Sequence, residues 1–565
     1  MSLIANWVVR LVGWFDRRAL EYAAENPAEA QLMLLQDILR KNRATAFGKE
    51  HGFDEISDHM GYQTRIPMRG YEGYEAYVQR MTGGERHVLT ATDPFMYATT
   101  SGTTRTPKLI PVTQRWKQQL SALVRVWLHG CLRDHPRVFR HRILTITSPA
   151  VEGYTRNKVP MGSVSGLTRR RAPWILRRTY CTPYNVSEIS DYDLRYFVTM
   201  RLALGTQVSA LITPNPSTII RLAELGQKHA QTMIESIHEG HLGIPQEIRD
   251  SLCDEQQNNI RQIERRLRPN PARAGFLASI VRKYGTLIPR YVWPELAIIG
   301  CWLGGSAGIQ AETMRSFFRP DLPIRDLGFR ATEGTMTIPL EDHSASGVLA
   351  LHANFYEFIA EDDIHQETPR VYMAHELEKG GRYYFLLTTI GGLYRYDIND
   401  VVEVTGFYKK APIIAFLRKG RDMVNITGEK LHLNQIIEAA QEAGKQCSLP
   451  WTQLQLIPDT EASRYDLLVE PTEMTEESPD LRSFVECFDQ TLMKYNIEYE
   501  QKRKSDRLAM PRLFVMDNGW SERRRKRDID TGGKRDAQYK WPVIELAWDE
   551  ASRPEVQQFY DITAD

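Results

Sequence analysis

Residues 95–108 read FMYATTSGTTRTPK: a short β-prone run leads into a loop of hydroxyl side chains with one glycine and ends in Pro-Lys. Backbone N–H groups, hydroxyls and the ammonium of Lys108 together suit an anion with many oxygens, which indicates a polyphosphate. The loop is not the P-loop of kinases and GTPases, because Gly102 is followed by Pro107-Lys108-Leu109 and not by Gly-Lys-Ser/Thr. Residues of these types also form ordinary polar connections, so the loop alone leaves that alternative open.

The composition is that of a globular protein with more than one domain. A chain of 565 residues exceeds what a single hydrophobic core usually serves. Hydrophobic residues make up 42% and charged residues 25%, which argues against disorder. The net charge of +1 argues against a nucleic-acid partner, and the local basic clusters at 169–178 and 523–527 are interpreted as solvated faces.

The cysteines and the first residues bear on the compartment. The six cysteines lie far apart without a C-x-x-C pair, which favours reduced thiols in a cytoplasmic protein over disulfides or a zinc site. The apolar start is interrupted by Arg10 and lacks a basic head, so it predicts an amphipathic helix and not a signal peptide. No apolar run of about eighteen residues occurs, so no membrane span is expected.

Helical and strand patterns alternate along most of the chain. Runs at 143–147 and 296–299 resemble strands buried on both faces, as in a parallel sheet covered by helices. Asn26 is predicted to cap a helix that ends near residue 43, and Asn434 a helix that ends near residue 443. A further helix is predicted over 478–495.

The fold class predicted from these patterns is α/β with two domains. The first is a large N-terminal domain over 1–418, with parallel or mixed sheets covered by helices and a β-rich part at about 345–416. The second is a smaller α+β domain over 419–565, which is an acceptable domain size.

Three further clusters carry chemistry that suits a nucleotide. Residues 326–334 place an aromatic, a hydroxyl and a carboxylate close together, and these groups can stack on a purine, bond a phosphate and ligate Mg²⁺. In 394–400, Asp400 could accept both hydroxyls of a ribose. Residues 418–430 add arginines and lysines. Each cluster alone is weak, since Glu333 could be a surface acid and Asp400 a turn residue.

The order of these clusters resembles that of adenylate-forming enzymes. The chain is similar to the Gretchen Hagen family of acyl-acid amido synthetases, in a form like its bacterial members. The resemblance extends over nearly the whole length, through TAFG at 45–48, HGF at 51–53, Pro67, Tyr74, GE at 84–85, TSGTTRTPK at 100–108, Trp302, GG at 304–305, FRATEG at 329–334, YEFI at 356–359, YRYDINDVVEVTGF at 394–407, GEKL at 428–431 and QYKWP at 538–542.

The resemblance implies that the large domain binds ATP and the acid. Its nucleotide contacts would fall on Ser101, Gly102, Thr103, Thr104 and Lys108 for the triphosphate, Gly305, Phe329 and Ala331 around the adenine, Thr332 for the α-phosphate, Asp400 for the ribose, and Arg418 and Arg421 in support.

The resemblance also implies catalytic roles. Glu333 would ligate Mg²⁺, and Lys430 and Lys540 would come from the small domain to neutralise phosphate charge as pyrophosphate leaves. The small domain would rotate between the two half-reactions, with Gly420 and Asp422 as hinge candidates, although a solvated turn between rigid domains is the alternative. The implied reaction activates a carboxylic acid as an acyl-adenylate and transfers the acyl group to an amine, in the first instance an amino acid.

The chain departs from the family pattern at three places. Arg105 stands where glycine is usual, which bears on the tightness of the loop. Phe329 and Arg330 replace a tyrosine and a small residue, and Asp397 and Asn399 stand where arginine and glycine are common. Since the hydroxyls, the acids and the lysines remain, an active site is expected.

Other functions stay open. The acceptor could be the thiol of coenzyme A or of a carrier protein, or the fold could serve binding alone. A serine hydrolase is a remote alternative, because 304–308 fits G-x-S-x-G around Ser306, and Asp326 followed by His343, His352 or His375 gives the required order. Acyl specificity is expected between the hydroxyl loop and 161–166. The acid, the amine and the oligomeric state stay open, and a monomer is compatible with the sequence.

Overall fold

The computed structural model describes residues 2–99, 108–304, 306–364, 366, 368–420, 423–424, 426–427, 429, 431–472, 480–504, 507–532, 539 and 541–561. Contacts between residues divide the chain into two compact units. The first comprises residues 1–416 with 536–538, and the second comprises 417–535 with 539–565. The predicted boundary between 418 and 419 stays a prediction.

Helices cover much of the first unit. In chain order they are α1 (Ser2–Glu25), α2 (Pro27–Asn42), α3 (Ala46–Glu50), α4 (His59–Arg65), α5 (Glu72–Thr82), α6 (Gln114–Asp134), α7 (Val164–Arg170), α8 (Trp174–Arg177), α9 (Tyr192–Leu204), α10 (Pro216–Lys228), α11 (Ala230–Glu239), α12 (Gln246–Ser251), α13 (Asp254–Glu264), α14 (Pro271–Tyr284), α15 (Pro289–Val292) and α16 (Ser306–Arg315).

The strands of this unit form three sheets. They are β1 (Met96–Thr99), β2 (Leu109–Val112), β3 (Arg142–Thr145), β4 (Gly153–Tyr154), β5 (Pro160–Gly162), β6 (Val208–Ile212), β7 (Ile298–Gly300), β8 (Ile324–Arg325), β9 (Thr337–Ile338), β10 (Ser346–Leu349), β11 (Phe355–Ala360), β12 (Val371–Met373), β13 (Arg382–Thr388), β14 (Tyr396–Tyr408) and β15 (Ala411–Lys419), the last of which continues into the second unit. The sheet orders are β2-β1-β5-β4, β3-β6-β7-β8 and β12-β11-β13-β14-β15-β10-β9.

The sheet β3-β6-β7-β8 is parallel throughout, as the buried apolar runs predict. Consecutive residues of its strands pack into two different hydrophobic cores. Ile143 and Ile298 belong to one hydrophobic cluster, whereas Leu144 and Ile299 belong to another. Because successive side chains of a strand point to opposite faces, both faces of this sheet are buried. The predicted α/β fold class is confirmed.

The second unit is an α+β structure. Its strands are β16 (Met423–Val424), β17 (Leu431–His432), β18 (Trp451–Asp459), β19 (Arg464–Pro471), β20 (Arg512–Met516) and β21 (Val556–Tyr560), and its helices are α17 (Leu433–Gln446), α18 (Leu481–Tyr495), α19 (Ile497–Lys504) and α20 (Trp520–Gly532). The larger sheet has the order β18-β19-β20-β21, in which β19 and β20 run parallel.

The two helices predicted to begin near Asn26 and Asn434 are present as α2 and α17, but their caps differ from the prediction. Asn26 holds the N-cap position of α2, yet its side chain makes no capping bond, and its amide donates backward to the Tyr22 carbonyl at 3.3 Å. Asn434 lies inside α17, which begins at Leu433, and the Gln435 side chain accepts the His432 N–H at 3.1 Å. Helix α18 begins at Leu481, and the residues 478 and 479 predicted to open it lie outside the described part.

Among the residues described, we find no helix whose length and apolar character would let it cross a bilayer.

Candidate functional site

A tight turn follows β8 and presents the residues of the FRATEG motif. The N–H of Ala331 donates to the carbonyl of Gly334 at 2.9 Å, and the N–H of Gly334 donates back at 3.2 Å. These reciprocal bonds leave Thr332 and Glu333 as the two residues at the tip, which is the geometry of a two-residue hairpin loop. The hydroxyl and the carboxylate assigned to phosphate and magnesium are therefore adjacent on one short turn.

The two residues before the turn, Gly328 and Phe329, are held against Thr337, which follows it. Gly328 has φ +88°, and a Cβ there would lie 2.4 Å from the carbonyl oxygen of Thr337, so only glycine fits. The N–H of Phe329 donates to Oγ1 of Thr337 at 2.8 Å. The ring of Phe329 is partly exposed, with its centroid 5.6 Å from that of Phe385 and 5.5 Å from that of Phe416. Two aromatic rings thus support a third that can stack on a base.

Glu333 is held by side chains from two other elements. Its residue is only 6% exposed. The Tyr396 hydroxyl on β14 donates to Oε1 at 3.0 Å, and Nε1 of Trp116 on α6 donates to the Glu333 carbonyl at 3.3 Å. Burial, and then the charge of Glu333, raise the pKa of Tyr396 well above its ordinary value. The phenol therefore stays protonated and remains a hydrogen-bond donor to the carboxylate.

A bulge in β14 places Asp400. Asp397 and Val401 lie four residues apart on β14, yet they pair with residues only two apart on β13, within 384–386. Asn399, inside this bulge, has φ +57° and donates its N–H to Oδ1 of Asp397 at 2.7 Å. Asp400 is 2% exposed. Bulges re-aim a side chain that a regular strand would point elsewhere, and they are frequent beside active sites.

The charges of both predicted acids act on Tyr396. After burial, the pKa of this tyrosine is raised by the charges of Glu333, Asp397 and Asp400. Glu333, which the sequence assigns to magnesium, is thus hydrogen-bonded to Tyr396, and the charge of Asp400, which the sequence assigns to the ribose, acts on the same phenol. No role was predicted for Tyr396 itself. Its position four residues before Asp400 in the YRYDIND motif is the signal that could have found it.

Lys108 lies beside the ring of Tyr71. Its Nζ is 5.5 Å from the centroid of the Tyr71 ring. The hydroxyl oxygen of Tyr71 accepts the N–H of Leu109 at 2.8 Å. Burial raises the pKa of Tyr71, its backbone bond to Leu109 lowers it, and the charges of Glu75 and Glu333 raise it. Tyr71 is thus a neighbour of both Lys108 and Glu333.

Many predicted site residues lie outside the described part of the chain: Ser101, Gly102, Thr103, Thr104, Arg105, Gly305, Arg421, Lys430 and Lys540. Their roles stay predictions. Arg418 belongs to the second unit, where it is buried and its Nη1 donates to the carbonyl of Gly420 at 3.4 Å.

The GEKL motif of the second unit is built around Glu429. This carboxylate accepts the N–H of Ile426 and the N–H of Thr427, both at 2.8 Å, and the Thr427 hydroxyl at 2.9 Å. It also accepts a hydrogen bond from the hydroxyl of Tyr465. Burial acts to raise the pKa of Glu429, but these donors outweigh it and lower the pKa. The sequence had assigned the motif to Lys430 and left Glu429 without a role.

The geometry around Asp326 argues against a serine hydrolase. Its two carboxylate oxygens accept the N–H of Leu303 at 2.6 Å and the N–H of Gly328 at 2.5 Å. No histidine in the described residues hydrogen-bonds to Asp326, and His343 instead contacts Arg315 at 3.3 Å. A catalytic triad needs the acid to orient the histidine, so this acid has a structural role in the turn.

The described residues contain no group of three or more His, Cys, Asp or Glu side chains that could hold a metal ion by themselves. Glu333 nevertheless fits a magnesium ion bound together with a nucleotide. Mg²⁺ prefers hard oxygen ligands, and it is commonly held by one or two carboxylates with phosphate oxygens and water. A buried carboxylate on a turn that also carries a hydroxyl matches that donor set.

Family models match most of the chain. A model described as the GH3 family N-terminal domain matches residues 16–324, the GH3 family central domain matches 347–419, and the GH3 family C-terminal domain matches 432–545.

Relatives in Arabidopsis thaliana match over similar lengths. The indole-3-acetic acid-amido synthetase GH3.3 is 22% identical over 552 residues, which cover 93% of this chain and 90% of the relative. The 4-substituted benzoates-glutamate ligase GH3.12 is 21% identical over 442 residues, which cover 75% of each.

Solved structures share the fold. The GH3.15 acyl acid amido synthetase superposes with a TM-score of 0.82 at 19% identity, over 96% of both chains. A 2-hydroxyisobutyryl-CoA ligase in the post-adenylation state superposes with a TM-score of 0.50 at 12% identity, over 93% of this chain and 90% of that one.

Proposed function

Since the chain belongs to the GH3 family, we propose that it uses ATP to join a carboxylic acid to an amine. The carboxylate attacks the α-phosphate, which gives an acyl-adenylate and pyrophosphate. The amine, proposed to be that of an amino acid, then attacks the acyl carbon, and AMP leaves as the amide forms. The predictions of family and of ligase activity are confirmed by the family models and by the relatives, which are an amido synthetase and a ligase by name.

One observation carries this proposal for the chain's own residues: the buried carboxylate of Glu333 accepts from the phenol of Tyr396 at 3.0 Å, and the charge of Asp400 raises the pKa of that phenol. An adenylating enzyme must hold the phosphates and the ribose of one nucleotide at once. Two buried carboxylates on different elements, Glu333 on the turn after β8 and Asp400 on β14, are suited to that task. The aromatic platform of Phe329 lies on the same turn as Glu333.

The predicted site residues of the first unit that the structure describes are each assigned a role in the adenylation step. Phe329 stacks on the adenine, Asp400 accepts the ribose hydroxyls, and Thr332 donates to the α-phosphate. Lys108 supplies a positive charge near the leaving pyrophosphate. Glu333 would hold Mg²⁺, which would supply positive charge against the charge that develops on the phosphate oxygens. Tyr396 keeps the carboxylate of Glu333 oriented, so the cation would meet a preorganised ligand.

For the second unit we propose the role of a lid. We assign 1–418 to adenylation and 419–565 to the lid, with Gly420 and Asp422 at the hinge and Lys430 and Lys540 as its catalytic lysines. Arg418 and Arg421 would support the nucleotide from the junction. Lys540→Ala should abolish acid-dependent pyrophosphate release in a folded protein, and undiminished release would contradict that role.

The substrates are proposed to be small molecules in the cytoplasm. All six cysteines are free, which fits a reducing compartment.

The test is pyrophosphate release from ATP and Mg²⁺ across a panel of carboxylic acids, followed by product analysis with amine and thiol acceptors. Acid-dependent release with amide formation is expected. Release followed by a thioester with coenzyme A, and no amide, would instead establish an acyl-CoA synthetase. No release with any acid would contradict the proposed function.

A further inference from the structure

Helix α1 is apolar on two sides, one packed and one exposed. The packed side lies in the core of the first unit and consists of Val9, Leu20, Ala23 and Ala24. Gly13 brings this side close to α6, because a Cβ at that position would lie 2.6 Å from Cβ of His129. A surface helix usually carries polar residues on the side opposite to the core.

The opposite side of α1 instead carries six large apolar side chains. They are 36–66% exposed and comprise Trp7, Val8, Leu11, Val12, Trp14 and Phe15. With about 100° between successive residues, they occupy less than half of the helix circumference. A monomeric protein rarely exposes a contiguous apolar patch of this kind unless the patch binds another molecule or a membrane. These six residues form the exposed α1 face.

The charges that α1 places at this face are positive. The guanidinium of Arg18 lies 4.5 Å from the centroid of the Trp14 ring, and Arg10 borders the face; both arginines are exposed. Residues 2–20 contain one acid, Asp16. It lies on the packed side, where it accepts from Nε of Arg125 on α6 at 2.5 Å. The stretch that exposes the apolar side chains therefore presents cations and no anion of its own.

The acids of α1 lie at its C-terminal end and are already paired. Lys409 contacts Glu21 and Glu25, each at 2.6 Å. Glu21 also accepts from Nε of Arg17 at 2.7 Å. These ion pairs bind the end of the helix to the first unit. The positive charge of Arg10 and Arg18 is therefore concentrated toward the other end, beside the exposed α1 face.

This combination favours an anionic surface over a second copy of the chain. In a two-fold dimer the same face meets itself, so Arg10 and Arg18 would be buried against a stretch of helix that offers no acid. An anionic bilayer offers phosphates to the arginines and acyl chains to the apolar residues. Tryptophan is enriched at that depth, because its ring is apolar and its N–H is polar.

We propose that α1 binds along the surface of an anionic membrane. The exposed α1 face enters the boundary between headgroups and acyl chains, and Arg10 and Arg18 bind lipid phosphates. The packed side stays on α6, so the helix needs no rearrangement to bind. Apolar area and attraction to anionic lipids together set the strength of such binding. The inference does not depend on the proposed function.

The experiment is sedimentation of the full chain with two kinds of vesicle, one of phosphatidylcholine alone and one of phosphatidylcholine and phosphatidylglycerol in equal parts. The wild type should bind the anionic vesicles about 30-fold more tightly, since each arginine near an anionic surface contributes about fivefold. High salt should reduce the difference. Arg10→Gln combined with Arg18→Gln should remove most of it. Trp7→Ser combined with Phe15→Ser should weaken binding to both vesicles by about tenfold or more.

Trp174→Ser is the matched control. Trp174 on α8 is 62% exposed, and the guanidinium of Arg178 lies 5.0 Å from the centroid of its ring, much as Arg18 lies over Trp14. The control should bind vesicles as the wild type does. All these substitutions alter exposed side chains, so each variant should keep a melting temperature near that of the wild type. That measurement separates lost binding from unfolding.

Four results would overturn the inference. Absence of binding to either vesicle would do so, and so would equal binding to both. A loss in Trp174→Ser equal to that in the α1 variants would place the contact at the basic segment 169–178. A wild-type dimer in sedimentation velocity that Trp7→Ser with Phe15→Ser dissociates, without vesicle binding, would assign the face to a second copy. Adenylation enters none of these measurements, so the proposed function is tested separately.

Discussion

Glu333 in the first unit and Glu429 in the second are both buried carboxylates that accept a hydrogen bond from a tyrosine. They differ in how many donors surround them. Glu429 accepts two backbone N–H groups, the hydroxyl of Thr427 and the hydroxyl of Tyr465. For the carboxylate of Glu333, the described residues supply one donor, Tyr396.

The difference separates a structural acid from a ligand-binding acid. A carboxylate has about four acceptor positions, and at Glu429 the protein occupies them. Glu429 therefore fixes the loop that precedes β17. The carboxylate of Glu333 keeps acceptor positions that the described residues do not use. It lies on a two-residue turn, so these positions are open to a ligand. We infer that the first acid serves chemistry and the second serves folding.

Glu333→Gln should have the largest effect. Neutralising this acid should lower kcat/KM for adenylation by about 10²–10³-fold, or about 3–4 kcal/mol of transition-state stabilisation, because the magnesium ligand is lost. The free energy of unfolding should change by less than about 1 kcal/mol, since the amide oxygen still accepts from Tyr396. Pyrophosphate release and urea denaturation measure the two quantities.

Glu341→Gln is the matched control, since Glu341 is an exposed acid a few residues farther along the chain. It should change neither quantity. If Glu333→Gln retained adenylation but lost stability, Glu333 would be a structural acid and the comparison with Glu429 would fail.

Glu429→Gln should show the opposite pattern. The amide must turn an N–H toward groups that are themselves donors, so about 2–3 kcal/mol of stability should be lost. Adenylation measured well below the melting temperature should stay within about tenfold of the wild type. Urea denaturation of the full chain tests this, with Glu461→Gln on an exposed turn of the same unit as the control. A large loss of kcat in a stable Glu429→Gln protein would place this acid in catalysis.

The sequence predicts the elements of the fold better than the contacts of the site. The parallel sheet follows from apolar runs at 143–147 and 296–299, because burial on both faces leaves no polar alternation. The capping predictions fail where two elements compete for one residue, as at Asn26, which lies between α1 and α2. Caps depend on such local competition, and propensity alone does not resolve it.

The motifs located Glu333 and Asp400 but not what holds them. Tyr396 donates a hydrogen bond to Glu333 although the two residues are 63 positions apart in the sequence, and no local sequence pattern predicts that contact. The bulge that carries Asp400 depends on the register between β13 and β14, which pairing sets and composition does not. Arg330 was visible as a departure from the family pattern. That its Nε is shielded from solvent and has no hydrogen-bond partner could be learned only from the folded chain.

Tyr396→Phe should have an intermediate effect and sharpen the contrast. It removes the donor to Glu333 without removing the charge, so kcat/KM for adenylation should fall by about tenfold, or about 1.4 kcal/mol. The concentration of Mg²⁺ that gives half-maximal rate should rise in parallel. Tyr62→Phe is the control, because its buried hydroxyl contacts Thr388 at 2.7 Å and not an acid of the site. An unchanged magnesium dependence in Tyr396→Phe would show that Tyr396 does not position a magnesium ligand.

The smallest expected effect concerns acid stability. Burial acts to raise the pKa of Glu429, but Tyr465 and the backbone N–H groups outweigh it and hold the pKa below the ordinary value of 4.5. The unfolded chain therefore binds this proton more readily than the folded chain. The contribution of Glu429 to stability is present above about pH 4.5 and is lost as the pH falls through the folded-state pKa. The difference in unfolding free energy between the wild type and Glu429→Gln should accordingly be constant near neutral pH and shrink below about pH 4.5. Urea denaturation at a series of pH values measures it. A difference that stays constant down to the acid transition would mean that Glu429 is not stabilised as a carboxylate, and the contrast with Glu333 would then rest on activity alone.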